Sequence, residues 1–193
     1  MNQLTITRNL LLTAVCVFGA LHAHAQTRSF EIETDPVNFF SNGYNFNFGY
    51  SMPHWAVRLV SYKTELPEAL HGNDDFVQNM IGFAVDVDYY IKENNNGLFV
   101  GPVILYSRDE LISPQGIKQN NDQFSLGARV GYRIMPFRAQ RDQLQGFYFT
   151  PFFSPFYTIA DDKEFADGTR FAYKQVQWWG GIHLGWRINV DNK

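Results

Sequence analysis

GYNFNFGYS, residues 43–51, decides how this chain folds. Tyr44, Phe46, Phe48 and Tyr50 fall on one side, and Gly43, Asn45, Asn47, Gly49 and Ser51 on the other, without exception. Side chains alternate across an extended strand, whereas a helix returns to one face every three or four residues, so a period of two signals a strand. The same period runs through 81–92, where Ile81, Phe83, Val85, Val87, Tyr89 and Ile91 oppose Gly82, Ala84, Asp86, Asp88, Tyr90 and Lys92. In 124–134 it sets Phe124, Leu126, Val130 and Tyr132 against Ser125, Gly127, Arg129, Gly131 and Arg133. In 175–188 it sets Val176, Trp178, Ile182, Leu184, Trp186 and Ile188 against Gln175, Gln177, Gly181, His183, Gly185 and Arg187.

Weaker segments fill the gaps. Residues 28–35 and 55–63 alternate over shorter lengths, while 98–108 and 146–160 are apolar on both faces and contain Pro102, Pro151 and Pro155. The total is eight strands, most of them long enough to cross a bilayer when tilted. The connections sort into turns at 52–54, 92–96 and 136–145 and loops at 36–42, 64–78, 109–121 and 161–174. Short turns at one end and longer loops at the other are the asymmetry of outer-membrane barrels, with 136–145 the exception. One local echo, GARVGYRI at 127–134 and GIHLGWRI at 181–188, reads as one depth-dependent problem solved twice rather than as a binding repeat.

The N-terminus sets the compartment. Arg8 precedes the apolar run LLLTAVCVFGAL at 10–21, and HAHAQ follows with small residues two apart. That order is the order of a secretory signal peptide cut after Ala25, and its apolar run is too short for a membrane helix. Cys16 inside it is a poor lipoprotein acceptor, because Val15 precedes it where a small residue belongs. The expected mature chain, 26–193, has 193 − 25 = 168 residues and forms one domain. It lacks cysteine, which excludes disulfides and thiol catalysis. Its charge, 15 − 19 = −4 once Arg8 is removed, offers no basic face for nucleic acid.

Alternation alone would also suit a soluble, lipocalin-like carrier with its apolar face inward. The polar face argues against that. It is built of Gly, Asn, Ser, Asp and Arg, which suit the crowded lumen of an eight-stranded barrel, rather than the Lys, Glu and Gln of a solvated wall. The apolar face carries Tyr50, Trp55, Tyr89 and Trp186 near one end and Tyr106, Tyr157 and Trp178 near the other, as two interfacial girdles would.

With its leader, eight strands and the terminal pattern of Gly181, Leu184, Trp186 and Ile188, the chain resembles small outer-membrane β-barrel proteins of the OmpA and OmpX type. The resemblance spans residues 30–190. It implies an all-β, up-and-down, eight-stranded transmembrane barrel in a Gram-negative cell envelope, with both termini periplasmic. It further implies a monomer among outer-membrane lipid and lipopolysaccharide, with a last strand read by the barrel assembly machinery. The chain departs from that pattern after Trp186, ending INVDNK where the family ends in an aromatic residue.

Three constellations bear on chemistry. Inward Glu31, Glu33, Asp35, Asp86 and Asp88 would share the lumen with Arg58, Arg129, Arg133, Arg187 and His183, and closure of the last strand on the first would bring Arg187 or His183 to Glu31 or Glu33. Buried charges must pair, so a structural plug of ion pairs is expected, ahead of a gated ion path. Acids of loops 64–78 and 161–174 lack cation-binding spacing and read as solvated charge, so no metal and no cofactor is expected. His71, Ser113 and Asp109 are the candidates for a lipid-modifying triad, but no motif joins them. The expected role is non-enzymatic, structural or through surface interaction; an enzyme acting on lipid A or phospholipid is the alternative. The prolines of the fifth and seventh strands mark a bulge, an early strand end or a lateral seam.

Overall fold

A computed structural model describes residues 28–137, 140 and 143–190. The export signal read at 1–25 lies outside them. Eight strands form the wall: β1 Ser29–Thr34, β2 Tyr44–Met52, β3 Trp55–Leu66, β4 Val77–Tyr90, β5 Gly97–Ile112, β6 Lys118–Arg133, β7 Gly146–Ile159 and β10 Val176–Asn189. They close a barrel in the order β1-β10-β7-β6-β5-β4-β3-β2, every neighbour antiparallel. The eight-stranded up-and-down barrel expected from the alternation is therefore the fold. Closure is made by β1 on β10, from Ser29 opposite Asn189 to Thr34 opposite Leu184. Two single-turn helices, α1 Val37–Phe40 and α2 Glu68–His71, and a small hairpin, β8 Lys163–Glu164 with β9 Arg170–Phe171, occupy connections at one end.

The strands β3 to β6 are longer than the apolar alternation suggests. Residues 109–121, expected as a loop, are mostly strand, with only 113–117 left as a turn. The reason lies on the outward face. In β5 it runs Leu98, Val100, Pro102, Ile104 and Tyr106, then becomes Arg108 and Glu110; in β6 it runs Tyr132, Val130, Ala128, Leu126 and Phe124, then Asp122 and Lys118. The ladder continues through the change of polarity, pairing Arg108 with Asp122 and Glu110 with Asn120. Hydrogen bonding continues where the hydrophobic signal stops.

That change has the same height on both strands. Tyr106 opposes Phe124 on the apolar side, and one residue pair further Arg108 Nε donates to Asp122 Oδ1 at 3.0 Å. The Tyr106 hydroxyl donates to the same Asp122 oxygen, so the ring lies below the boundary and its polar tip reaches across it. From Leu98 to Tyr106 the strand covers about 27 Å, which a tilt of about 40° reduces to about 21 Å of apolar belt. A bilayer-spanning barrel shows a band of about 25 Å.

The prolines act locally. The β4–β5 ladder runs to Asp86 opposite Val103 and resumes at Tyr89 opposite Val100, skipping Pro102. The β6–β7 ladder skips the pairs that contain Pro155 and Pro151, then resumes each time. The register does not change across any gap. Each proline removes a donor without inserting a residue, so these are neither bulges nor parted strands.

The sequence echo also has a physical basis. A side chain on Gly127 would meet Phe156, on Gly131 Phe99, and on Gly185 Tyr148. These glycines stand on the inward face and yield their space to bulky inward neighbours. Gly185→Ala therefore overpacks the lumen and lowers stability by about 1–3 kcal/mol. In a double-mutant cycle with Tyr148→Ala, urea titration should return a coupling that restores part of that loss; simple additivity would show that the two positions do not compete for space.

Candidate functional site

The lumen near the β1 and β10 termini is filled with charge. Glu31, Glu33, Asp86 and Asp88 are opposed by Arg58, Arg129, Arg133 and Arg187, all of them buried. These four carboxylates and four guanidinium groups match in number, and a fifth buried carboxylate, Asp35, stands beside Gly181. Arg133 of β6 reaches across the barrel to β1, with Nη1 donating to Glu31 Oε1 at 2.6 Å and Nη2 to Glu33 Oε1 at 3.2 Å. Arg129 donates to Asp86 Oδ2 at 3.0 Å and Asp88 Oδ2 at 3.3 Å. Arg58 pairs with Asp88, and Arg187 Nε donates to Glu31 Oε1 at 2.8 Å. His183 Nδ1 lies 2.9 Å from Glu33 Oε2, so the closure of β10 on β1 does bring Arg187 and His183 to the two glutamates.

Four inward aromatic rings, which the sequence analysis did not single out, complete this layer. The Arg133 guanidinium lies 4.2 Å from the Tyr148 ring and 4.9 Å from Tyr90; Arg129 lies 4.5 Å from Phe152 and 5.2 Å from Phe99. Rings flanking a desolvated cation supply electrostatic stabilisation and leave the in-plane donors to the carboxylates. Tyr148 also donates its hydroxyl to Glu33 Oε1 at 2.8 Å. From below, Arg187 donates to the Asn94 carbonyl at 2.9 Å, so the 91–96 turn folds against the plug. The signal for these rings was present: Tyr90, Phe99, Tyr148 and Phe152 are aromatics of the polar parity.

Above this layer the inward face changes character. Val60, Tyr62, Met80, Ala84 and Val103 form an apolar cluster joined by Leu105, Phe156 and Trp179. Charge occupies only one half of the lumen. The outer mouth is then covered by Phe76, Leu111, Phe165 and Phe171, with Asn73 clamped to both backbone groups of Ala172.

The three triad candidates lie at this covered mouth and are not joined. His71 ends α2, buried against the Phe171 ring at 5.5 Å, and its Nδ1 accepts the Asn73 amide at 3.2 Å. The Ser113 hydroxyl donates to Asp167 Oδ2 at 2.7 Å. Asp109 lies within β5 rather than in a loop, and accepts from Gln78, Ser107 and Tyr173 at 2.8–3.0 Å. Among the described residues no hydrogen bond links any two of the three, so they do not form a triad. The girdle residues point outward: Trp55, Tyr89, Tyr106, Tyr157, Trp178 and Trp186 are exposed and Tyr50 is partly so. Outward placement of the apolar face also removes the geometry that a lipocalin-like carrier requires.

Two outcomes follow. Arg133→Met leaves Glu31 and Glu33 buried beside a missing cation and costs about 3–5 kcal/mol, read as a lower urea midpoint, whereas Arg108→Ala on the outer wall leaves that midpoint unchanged. Burial, then the nearby Lys174 cation, holds the His71 imidazole below its ordinary value. Released His71 titrates near about 6.5, so docking of the mouth cover is complete above that pH and weakens as pH falls toward the lower folded value. Protection factors of the amides at residues 72–76, corrected for the intrinsic exchange rate, should fall on acidification, and His71→Phe should flatten that response.

The sequence matches no protein-family model and no curated protein. Among solved structures, the fold is similar to the N-terminal β-barrel domain of Pseudomonas aeruginosa OprF, with 13% identity and a TM-score of 0.44, covering 84% of this chain and 97% of that one. It is similar to a major outer membrane protein from Thermus thermophilus, with 12% identity and a TM-score of 0.42, covering 86% and 100%. Acinetobacter baumannii CarO shares 9% identity with a TM-score of 0.35, covering 84% and 95%.

Proposed function

We propose that this protein is a non-enzymatic β-barrel of the outer membrane, held in lipid by its apolar belt and closed to general diffusion by its ion-pair plug. The belt carries this reading. Outward positions are apolar between two rows of Tyr and Trp, and on β5 and β6 they turn charged at the same height, at Arg108 and Asp122. A soluble barrel has no use for such a band; contact with hydrocarbon requires it. Partners of the wall are outer-membrane lipid and lipopolysaccharide, and β10 is the strand offered to the assembly machinery. The plug end faces the periplasm and the covered mouth faces outward, where the loops serve a structural or surface-interaction role.

The plug supports the closed-lumen part. Its guanidinium groups link β6 to β1 and β4 across the lumen, with aromatic rings filling the remaining width. The enzymatic alternative requires a nucleophile and base in contact, which His71, Ser113 and Asp109 do not provide.

Detergent-extracted protein should migrate differently on gels before and after heating, and fractionate with the outer membrane. Ile104→Arg, at the middle of the outward β5 row, should cost about 2–4 kcal/mol of stability in lipid. In planar bilayers the wild-type protein should give no steady conductance, while Arg129→Ala with Arg133→Ala should leak. Full solubility without detergent would sink the membrane reading, and steady wild-type conductance would sink the closed lumen.

A further inference from the structure

Among the described residues the wall loses strand pairing beyond β1 and β2, away from the prolines. Strand β1 ends at Thr34 opposite Leu184, so residues 176–183 of β10 have no strand partner on that side. Strand β2 begins at Tyr44 opposite Lys63, so residues 64–66 of β3 extend beyond it. The short β1–β2 hairpin thus leaves a window between β10 and β3. Its sill is α1, fixed to β3 by the Glu65 amide donating to the Ser41 carbonyl at 2.9 Å. Its lintel is Lys174, whose Nζ donates to the Leu70 carbonyl at 3.1 Å.

A cavity of about 400 Å³ lies behind this window. Its inner wall includes Val60, Met80, Ala84, Val103, Phe156 and Trp179, and its rim includes Asn38, Leu66, Leu70, Lys174, Val176 and Trp178. Those rim residues come from both sides of the window, from its sill and from its lintel. Arg129, Asp86 and His183, the top of the plug, make the floor. The size falls among small-molecule sites of about 300–1,000 Å³, and the apolar walls with a few polar groups are typical of them.

Height identifies the occupant. The sill exposes Val37, Phe39 and Phe40, the last 90% accessible, and Trp178 of the outward girdle stands beside the opening. The window therefore opens at the girdle edge of the belt, beside Trp178 and beyond Lys63 of β3, into the apolar half of the lumen, while charge blocks one end and Phe76, Leu111, Phe165 and Phe171 cover the other. We infer that the chamber takes the acyl chain of a membrane amphiphile, entering tail-first through the window, with its anionic head left at the rim beside Lys174. This rests on the proposed placement of the belt in lipid. The chain leaves one apolar phase for another, and the ammonium of Lys174 selects the head by charge.

Bromine quenching of tryptophan tests both claims separately. One protein keeps only Trp179 in the chamber (Trp55→Phe, Trp178→Phe, Trp186→Phe), and another keeps only Trp186 on the belt. Each is placed in vesicles of dibrominated phosphatidylglycerol, or in plain phosphatidylcholine vesicles titrated with mid-chain dibrominated stearic acid. Trp186 should lose emission in brominated phosphatidylglycerol; if it does not, the membrane placement fails and the inference falls with it. With Trp186 quenched, Trp179 should show a loss abolished by chamber-filling Ala84→Phe with Val103→Phe, checked for folding by heat-shifted migration. A filler-sensitive loss in the phospholipid arm assigns the chain to bilayer lipid, and a saturable one in the stearate arm assigns it to free acid. Lys174→Glu, an exposed change, should raise the stearate half-saturation severalfold. Quenching of Trp179 that ignores both the filler and Lys174→Glu overturns the inference.

Discussion

Closure of β1 on β10 is the constraint on which the rest depends. A sheet surrounded by hydrocarbon must pair its backbone donors and acceptors internally, and only a closed wall does so without an edge. The pairing of Ser29 with Asn189 through Thr34 with Leu184 achieves this over six residues. Those six are enough at the plug end, and they fix the plug itself, because they bring Glu31 opposite Arg187 and Glu33 opposite Gly185. The glutamates of the first strand thereby meet the cation of the last, and Gly185 leaves room for Tyr148 to reach Glu33.

Closure also sets the cost of the interior. Eight strands enclose a narrow lumen, so inward charges cannot keep bulk hydration and must neutralise one another. The solution combines paired charge, guanidinium groups stacked on Tyr148, Tyr90, Phe152 and Phe99, and a turn whose carbonyls accept from Arg187. Arg129 and Arg133 are thus held through their faces and their edges at once. An arrangement of that density resists rearrangement, which favours a fixed plug over a gate.

Strand number, facing and most of the plug were legible in the sequence because a period of two carries the facing of every residue. Glu31, Arg58, Arg133 and His183 were assigned inward from parity alone, and the structure places them there. Strand ends were less legible. Above Tyr106 the outward residues are Arg108 and Glu110, so the hydrophobic alternation stops while the ladder with Asp122 and Asn120 continues. The chamber was present in the sequence in a form that alternation obscures. Residues 98–108 and 146–160 read as apolar on both faces, and their inward members Val103, Leu105 and Phe156 are chamber wall. Adjacent Trp178 and Trp179 carry the same information, one ring toward the belt and one toward the cavity. What no local pattern supplies is the window, since it comes from β1 and β2 being shorter than the strands beside them.

That mismatch of length is where two unfavourable features coincide. Unpaired strand edge at the height of an apolar belt is costly, because nothing there replaces the missing hydrogen bonds. An apolar cavity is costly as well, since its lining loses packing contacts that filled space would supply. A few more residues in the β1–β2 hairpin would extend the pairing along β10, and larger side chains at Ala84 and Val103 would fill the space. Neither correction demands a new fold. Their joint absence at one height, with the sill exposing Phe39 and Phe40 and the lintel presenting Lys174, departs from local consistency in the manner expected of a functional site. Below the cavity, rings and ion pairs occupy the inward positions, so the open space above them is specific to that level. An apolar guest that enters from the side removes the cavity cost directly. Its polar end, kept at the rim, offers the exposed edge of β10 hydrogen-bonding groups that hydrocarbon lacks.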